Sequence, residues 1–213
     1  LIGRPRNWIG FENIALMIYD DPELLEDIVE TLCSLVCNTL ERALQDVEFD
    51  FAAGWEDICF NSGPIVGVDF MRDVVQPRYK RITDLLNKHG CHIAWTDCDG
   101  NILPILDVFR EGGINCTFPT EVHAGTDPVL LRQRWPDIRI QGGFCKMRLA
   151  ESKDAIRTEI ERIAPLVHAG GFIPGVDHRV QADVPLENYK YYLKLKRDIL
   201  GVGGEPKYDE SKI

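Results

Sequence analysis

The sequence is short of positive charge. Its 213 residues carry 24 Lys and Arg against 34 Asp and Glu, a formal net charge of −10. No Lys/Arg run is longer than two residues. Nucleic acid and anionic membrane surfaces both reward clustered cations, so neither is expected as the main partner. No apolar stretch approaches the roughly 20 residues needed to span a bilayer. Leu1 to Asn7 contains Arg4 and Arg6 but no apolar core, so no signal peptide is expected. There is no initiator Met, which fits a fragment or a processed chain. The seven cysteines (33, 37, 59, 91, 98, 116 and 145) are odd in number and include no CxxC pair. They read as reduced, buried, small apolar residues, and the compartment expected is cytoplasmic. Cys33 and Cys37 stand at helical i,i+4 spacing, which points to core packing. No GxGxxG or Walker loop follows any expected strand, which removes the main support for nucleotide-binding folds.

What is present is a rhythm. Apolar residues recur with a period near 3.6 from Pro22 to about Asp46, opened by Asp20-Asp21-Pro22 with Asp as N-cap and Pro at the first helical position. Phe70 to His89 is helical, with Pro77 expected to kink or reset it. Further helices are expected at Leu103–Glu111 (stopped by Gly112-Gly113), Pro128–Trp135, Ser152–Ala169 and Leu186–Leu200. Short apolar strands are expected at Phe49–Gly54, His92–Thr96, Ile114–Phe118, Ile138–Gln141 and Phe172–Val176. Strands of this kind, without exposed alternation, belong in a parallel sheet covered by helices. One domain is expected over residues 1–200, and the Gly-, Lys- and acid-rich stretch 201–213 reads as a frayed tail.

Five strands allow a doubly wound sheet. The polar clusters favour a β/α barrel instead, because they follow successive strands: Glu56-Asp57, Asp97/Asp99, Glu121/His123, Cys145/Lys146 and Asp177/His178. In a barrel those positions converge at the C-terminal mouth, where active sites sit.

Several stretches carry a resemblance in order and spacing. They are Asp20-Asp21-Pro22-Glu23-Leu24, Trp55-Glu56-Asp57, Pro77-Arg78-Tyr79-Lys80, Asp97-Cys98-Asp99-Gly100-Asn101 and Glu111-Gly112-Gly113. Ala124-Gly125-Thr126-Asp127, Gly142-Gly143-Phe144-Cys145-Lys146, Gly170-Gly171-Phe172-Ile173-Pro174 and Asp177-His178 extend it. From about Gly10 to Leu200 the chain resembles the uroporphyrinogen decarboxylase and cobalamin-dependent methyltransferase superfamily. It is most similar to the branch that accompanies corrinoid methyltransferase systems. The resemblance implies a partial (β/α)8 TIM barrel holding approximately strands four to eight, since such barrels take about 250 residues. Open sheet edges would follow, together with a need for an N-terminal half-barrel or a second copy.

The resemblance also implies chemistry. In methyltransferases of this superfamily zinc is held by a His-x-Cys pair after strand five and a Cys after strand eight. Aligned on Gly100-Asn101, the first two positions fall on Asp97 and Asp99 and the third near His178. This oxygen-rich set is harder than the thiolate set it replaces. The expected metal ligands are drawn from Asp97, Asp99, Glu121, Cys145 and His178, with zinc as the ion. Glu56, Glu121 and His178 are the expected catalytic groups, and Trp55 a wall of the pocket.

Plainer readings stand beside each. Asp97 and Asp99 suit a turn and helix N-cap; His178 suits a hydrogen-bonded loop. Glu121 and His123 suit the surface, and Cys145 a buried inert thiol. His89 and His168, near helix C-termini, read as structural, and Trp8, Trp95 and Trp135 as packing. The function expected is methyl transfer between a small methylated substrate, such as a phenyl methyl ether, and a corrinoid protein that carries the cobalamin. The alternatives are decarboxylation of a tetrapyrrole polycarboxylate, or an inactive half-barrel.

Overall fold

A computed structural model describes residues 1–201; the expected tail beyond Gly201 lies outside the described residues. Three helices, α1 (Gly3–Ile9), α2 (Phe11–Asp20) and α3 (Pro22–Ala43), lead into strand β1 (Ala52–Trp55). A two-residue hairpin follows, β2 (Cys59–Phe60) with β3 (Gly63–Pro64). Next come α4 (Val68–Phe70), a π turn at Met71–Val75, α5 (Gln76–Lys88) and strand β4 (Ala94–Asp97). A 3-10 turn at Leu103–Ile105 opens α6 (Leu106–Glu111), which precedes β5 (Cys116–Phe118). A second 3-10 turn (Val122–Ala124) and α7 (Pro128–Arg134) lead to β6 (Arg139–Phe144). The chain closes with α8 (Met147–Glu151), α9 (Lys153–His168), β7 (Phe172–Val176) and α10 (Leu186–Leu200).

The main sheet has the order β1-β4-β5-β6-β7, with every pairing parallel. Each new strand is added on the same side of the last, so the order never reverses as a doubly wound sheet requires. This is a partial (β/α) barrel, as the polar clusters implied. Register sorts the side chains. Ile140 pairs with Phe172 and both are buried beneath the helices. Trp95 and Phe118 share the opposite, concave face, with ring centroids 4.9 Å apart. Ile173, on that face too, is 68% exposed, because none of the described residues covers that part of the concave surface.

Local chemistry explains the helix boundaries. Asp21 accepts the Leu24 N–H at 3.2 Å and Pro22 starts α3. Ser152 caps α9 through the Ala155 N–H, and Asp127 caps α7 through Val129 and Leu130. Pro77 has no N–H to return to the preceding turn, and the helix meets it with the π turn at Met71–Val75. All seven cysteines are free and buried, Cys33 and Cys37 among them on the inner stripe of α3. His89 and His168 lie at the C-terminal ends of α5 and α9.

Some expectations fail. Trp8 is 67% exposed, so the packing role expected of it is not met among the described residues. The first strand starts at Ala52, not Phe49, because only there does β4 stand opposite to pair with it. The sequence reading also missed α1, α2, α8 and the hairpin. Among the described residues no helix is long and apolar enough to cross a membrane.

Candidate active site at the C-terminal mouth

The strand ends bring Asp57, Asp97, Asp99, Glu121, Lys146, Asp177 and His178 to one end of the sheet. Asp177 is the anchor. It is fully buried, and its two carboxylate oxygens accept the N–H of Val122 and of Lys146, each at 2.9 Å. One side chain thus ties the loops after β5 and β6 to the end of β7. Burial raises its pKa, and the two amides pull it back.

Those loops carry the next pair. Lys146 Nζ donates to Glu121 Oε1 at 2.5 Å, and Glu121 Oε2 accepts the Gly100 N–H at 3.0 Å. Burial pushes the Glu121 carboxyl up, but Lys146 and the Gly100 amide outweigh it and leave the group below its ordinary value. Gly100 has φ +80°, and a Cβ there would stand 2.6 Å from the Cys59 carbonyl oxygen, so the β4 loop lies directly against the hairpin.

Asp97 and Asp99 form the centre. Asp99 Oδ2 and His178 Nε2 are 3.0 Å apart, joining the ends of β4 and β7 across the mouth. Burial raises the Asp99 carboxyl and the His178 ring lowers it, with a net rise. Asp97 has no side-chain hydrogen bond among the described residues. Burial first, then the charges of Asp99 and Asp57, push it up to about 6. Asp57, in a left-handed conformation at φ 49°, pairs with Arg6 at 3.2 Å. A cavity of about 260 Å³ opens here, bounded by Arg6, Asp57, Phe60, Asp99 and Glu121. Arg6, supplied by α1, is the group that sequence reasoning missed, since no periodic signal placed α1 at the strand ends.

Three expected residues lie elsewhere. Glu56 is only 2% exposed and points under α1, where it accepts the N–H of Ile2 and Gly3 at 2.8 Å each and the Tyr79 hydroxyl at 2.5 Å. It also pairs with the Leu1 amine. Burial works against its charge, yet these donors hold it below its ordinary value. It caps a helix, a structural task. Cys145 turns toward α9, its N–H donating to Glu159 at 3.3 Å, and lines a separate cavity with Arg148 and Arg162. Burial raises its thiol. His123 is exposed on the 3-10 turn.

A zinc ion needs three or four protein donors around one point. Among the described residues, no three of His, Cys, Asp and Glu converge closely enough to hold a metal ion. Asp99 and His178 are a pair, Glu121 is held by Lys146, and Cys145 faces the helices. The donors as arranged do not fit zinc. What the mouth does offer is a carboxyl near neutrality beside a carboxylate–imidazole pair, a set suited to giving and taking protons.

Comparison with known proteins agrees with this architecture. The family model described as uroporphyrinogen decarboxylase (URO-D) matches residues 5–199. A uroporphyrinogen decarboxylase of Campylobacter lari is 21% identical over 188 residues, covering 85% of this chain and 51% of the relative. One from Campylobacter jejuni is 24% identical over the same span and shares. The chain therefore spans about half the length of the curated relatives it matches. Among solved structures, a methyltransferase from Methanosarcina mazei superimposes with a TM-score of 0.60 at 16% identity. It covers 89% of this chain and 56% of the other, and at that identity the likeness concerns the fold.

Proposed function

The chain belongs to the uroporphyrinogen decarboxylase family, and on that premise we propose that it forms the C-terminal part of a methyltransferase. The enzyme would move a methyl group from a small methylated substrate, such as a phenyl methyl ether, to a corrinoid protein. The observation that carries the reading is Asp97, with its carboxyl pushed up to about 6, beside the Asp99–His178 pair. When the carbon–oxygen bond of a methyl ether breaks, the oxygen keeps the electron pair and takes on negative charge. A proton delivered in that step stabilises it. At pH 7 roughly a tenth of the molecules hold the proton on Asp97. The corrinoid of the partner protein would supply the nucleophile that accepts the methyl group. No step is assigned to zinc, because the donors do not converge.

The family match gives a second reading, decarboxylation of a tetrapyrrole, in which the same acid protonates the carbon that loses its carboxyl. The charge at the mouth counts against it. Asp57, Asp97, Asp99 and Glu121 face Arg6 and Lys146, both already paired, together with Arg179. A polycarboxylate would meet a net negative charge there.

The test offers anisole as methyl donor and free cob(I)alamin as acceptor, following methylcobalamin by absorbance. Transfer that Asp97→Asn slows by about 10²–10⁴-fold supports the proposal. Turnover of uroporphyrinogen with no methyl transfer overturns it.

A further inference from the structure

We propose that Trp55 and Phe118 form an aromatic slot around Asp97 that selects aryl methyl ethers over alkyl ones. The slot rests on the methyl-transfer reading of the mouth and adds the side chains that sort its substrates. Register places three side chains in one row. Trp55 pairs with Asp97 and Asp97 with Phe118, so all three leave the same face of the sheet. Each is also the last residue of its strand, β1, β4 and β5 in turn. The row is therefore the layer that opens to the mouth, above the packed layers deeper along the strands.

The row runs tall, short, tall: a carboxyl on a single methylene stands between an indole and a phenyl ring. Two strand spacings separate the walls, about 9.5 Å. A flat ring in contact with both walls needs about 7–8 Å. An arene thus enters edge-first, and an ether oxygen on its leading edge meets the Asp97 carboxyl at the floor. The walls are held before it arrives. Arg4 and Arg6 of α1 each lie 5.3 Å from the Trp55 ring centroid. Trp95, two residues below Asp97 on the same face, packs on Phe118 at 4.9 Å and closes the lower end of the slot. Aromatic walls attract an aromatic ring beyond what its buried area contributes, and a saturated ring gains only the area.

The probes are anisole and methoxycyclohexane, methyl ethers of similar size of which only anisole has a π face. Each is titrated into the purified chain while the Trp55 indole N–H resonance, identified by its loss in Trp55→Phe, is followed by NMR. Anisole is expected to bind about tenfold more tightly than methoxycyclohexane. Phe118→Leu should cut that ratio to about threefold or less, and Phe118→Tyr should keep it. The ratio compares two ligands on one sample, so a general loss of folded protein does not mimic the effect. Equal affinities for the two ethers, a ratio that Phe118→Leu leaves unchanged, or no saturable shift at millimolar anisole overturns the slot. Binding is read without turnover, which keeps the two proposals apart. Discrimination in a chain that transfers no methyl group overturns the methyl-transfer reading and supports the slot; transfer without discrimination does the reverse.

Discussion

Replacing Asp97 by asparagine deletes a charge at the mouth without deleting a hydrogen bond, because its carboxylate has no side-chain partner among the described residues. Burial, then Asp99 and Asp57, raise its pKa from an ordinary 3.8 to about 6. Between roughly pH 4 and 6 the folded protein therefore holds a proton that the unfolded chain has released. Stability from this group is greatest below that window, falls as pH rises through it, and stays reduced above. The side chain is half open to water, so solvent screening brings the differential to about 1 kcal/mol. Asp97→Asn should then be more stable than the parent by about that amount at pH 7.5 in urea unfolding, with the advantage gone at pH 4. Carboxyl carbon NMR should show one aspartate titrating near 6 in the parent and missing in the variant. A resonance for Asp97 that titrates below 4.5, or a variant less stable at pH 7.5, would refute the desolvation argument.

Two further substitutions test the frame that holds the site. Asp177→Asn puts an amide NH₂ against the Val122 or the Lys146 N–H, both of which need an acceptor. A loss of about 1–3 kcal/mol is expected, with faster exchange at those two amides; unchanged exchange would mean that Asp177 does not tie the loops. Gly142→Ala would place a Cβ 1.8 Å from the Pro119 carbonyl oxygen at φ +95°, so a loss of about 3 kcal/mol or more is expected. For a domain of this size that lowers the melting temperature by roughly 10 °C, and an unaltered melt would contradict the packing of β5 against β6.

Most of the fold was legible because its signals are local. Asp21 with Pro22, Ser152 and Gly112 mark helix ends through chemistry confined to one turn, and each boundary they mark lies within a residue or so of the observed one. Strand ends are different, since a strand lasts only as long as its neighbour. Phe49 and Phe51 are as apolar as any strand residue, yet both are exposed, because nothing stands opposite them before Ala52 meets Ala94. The helix α2 hides for a related reason. Phe11, Leu16 and Tyr19 are exposed, so its apolar residues do not trace the single buried stripe that periodicity detects.

The site shows where reading by position stops. Following each strand to its last residues located the mouth, because parallel strands all end on one side. Within each cluster, however, the choice between neighbours depends on direction. Glu56 and Asp57 are adjacent, and so are Cys145 and Lys146. In both pairs the first residue turns toward the helices and the second toward the mouth: Glu56 to α1, Asp57 to Arg6, Cys145 to α9, Lys146 to Glu121. Alternation accounts for Glu56, one residue past the concave-facing Trp55, but not for Cys145, because the left-handed Gly142 and Gly143 break the count along β6. Register in turn depends on which strands pair and where, a long-range property. For Glu56 it also depends on α1, whose amides draw the carboxylate under the helix. A strand-end acid next to a second acid is thus two candidates of opposite direction, and the helix that lies over the strand decides between them.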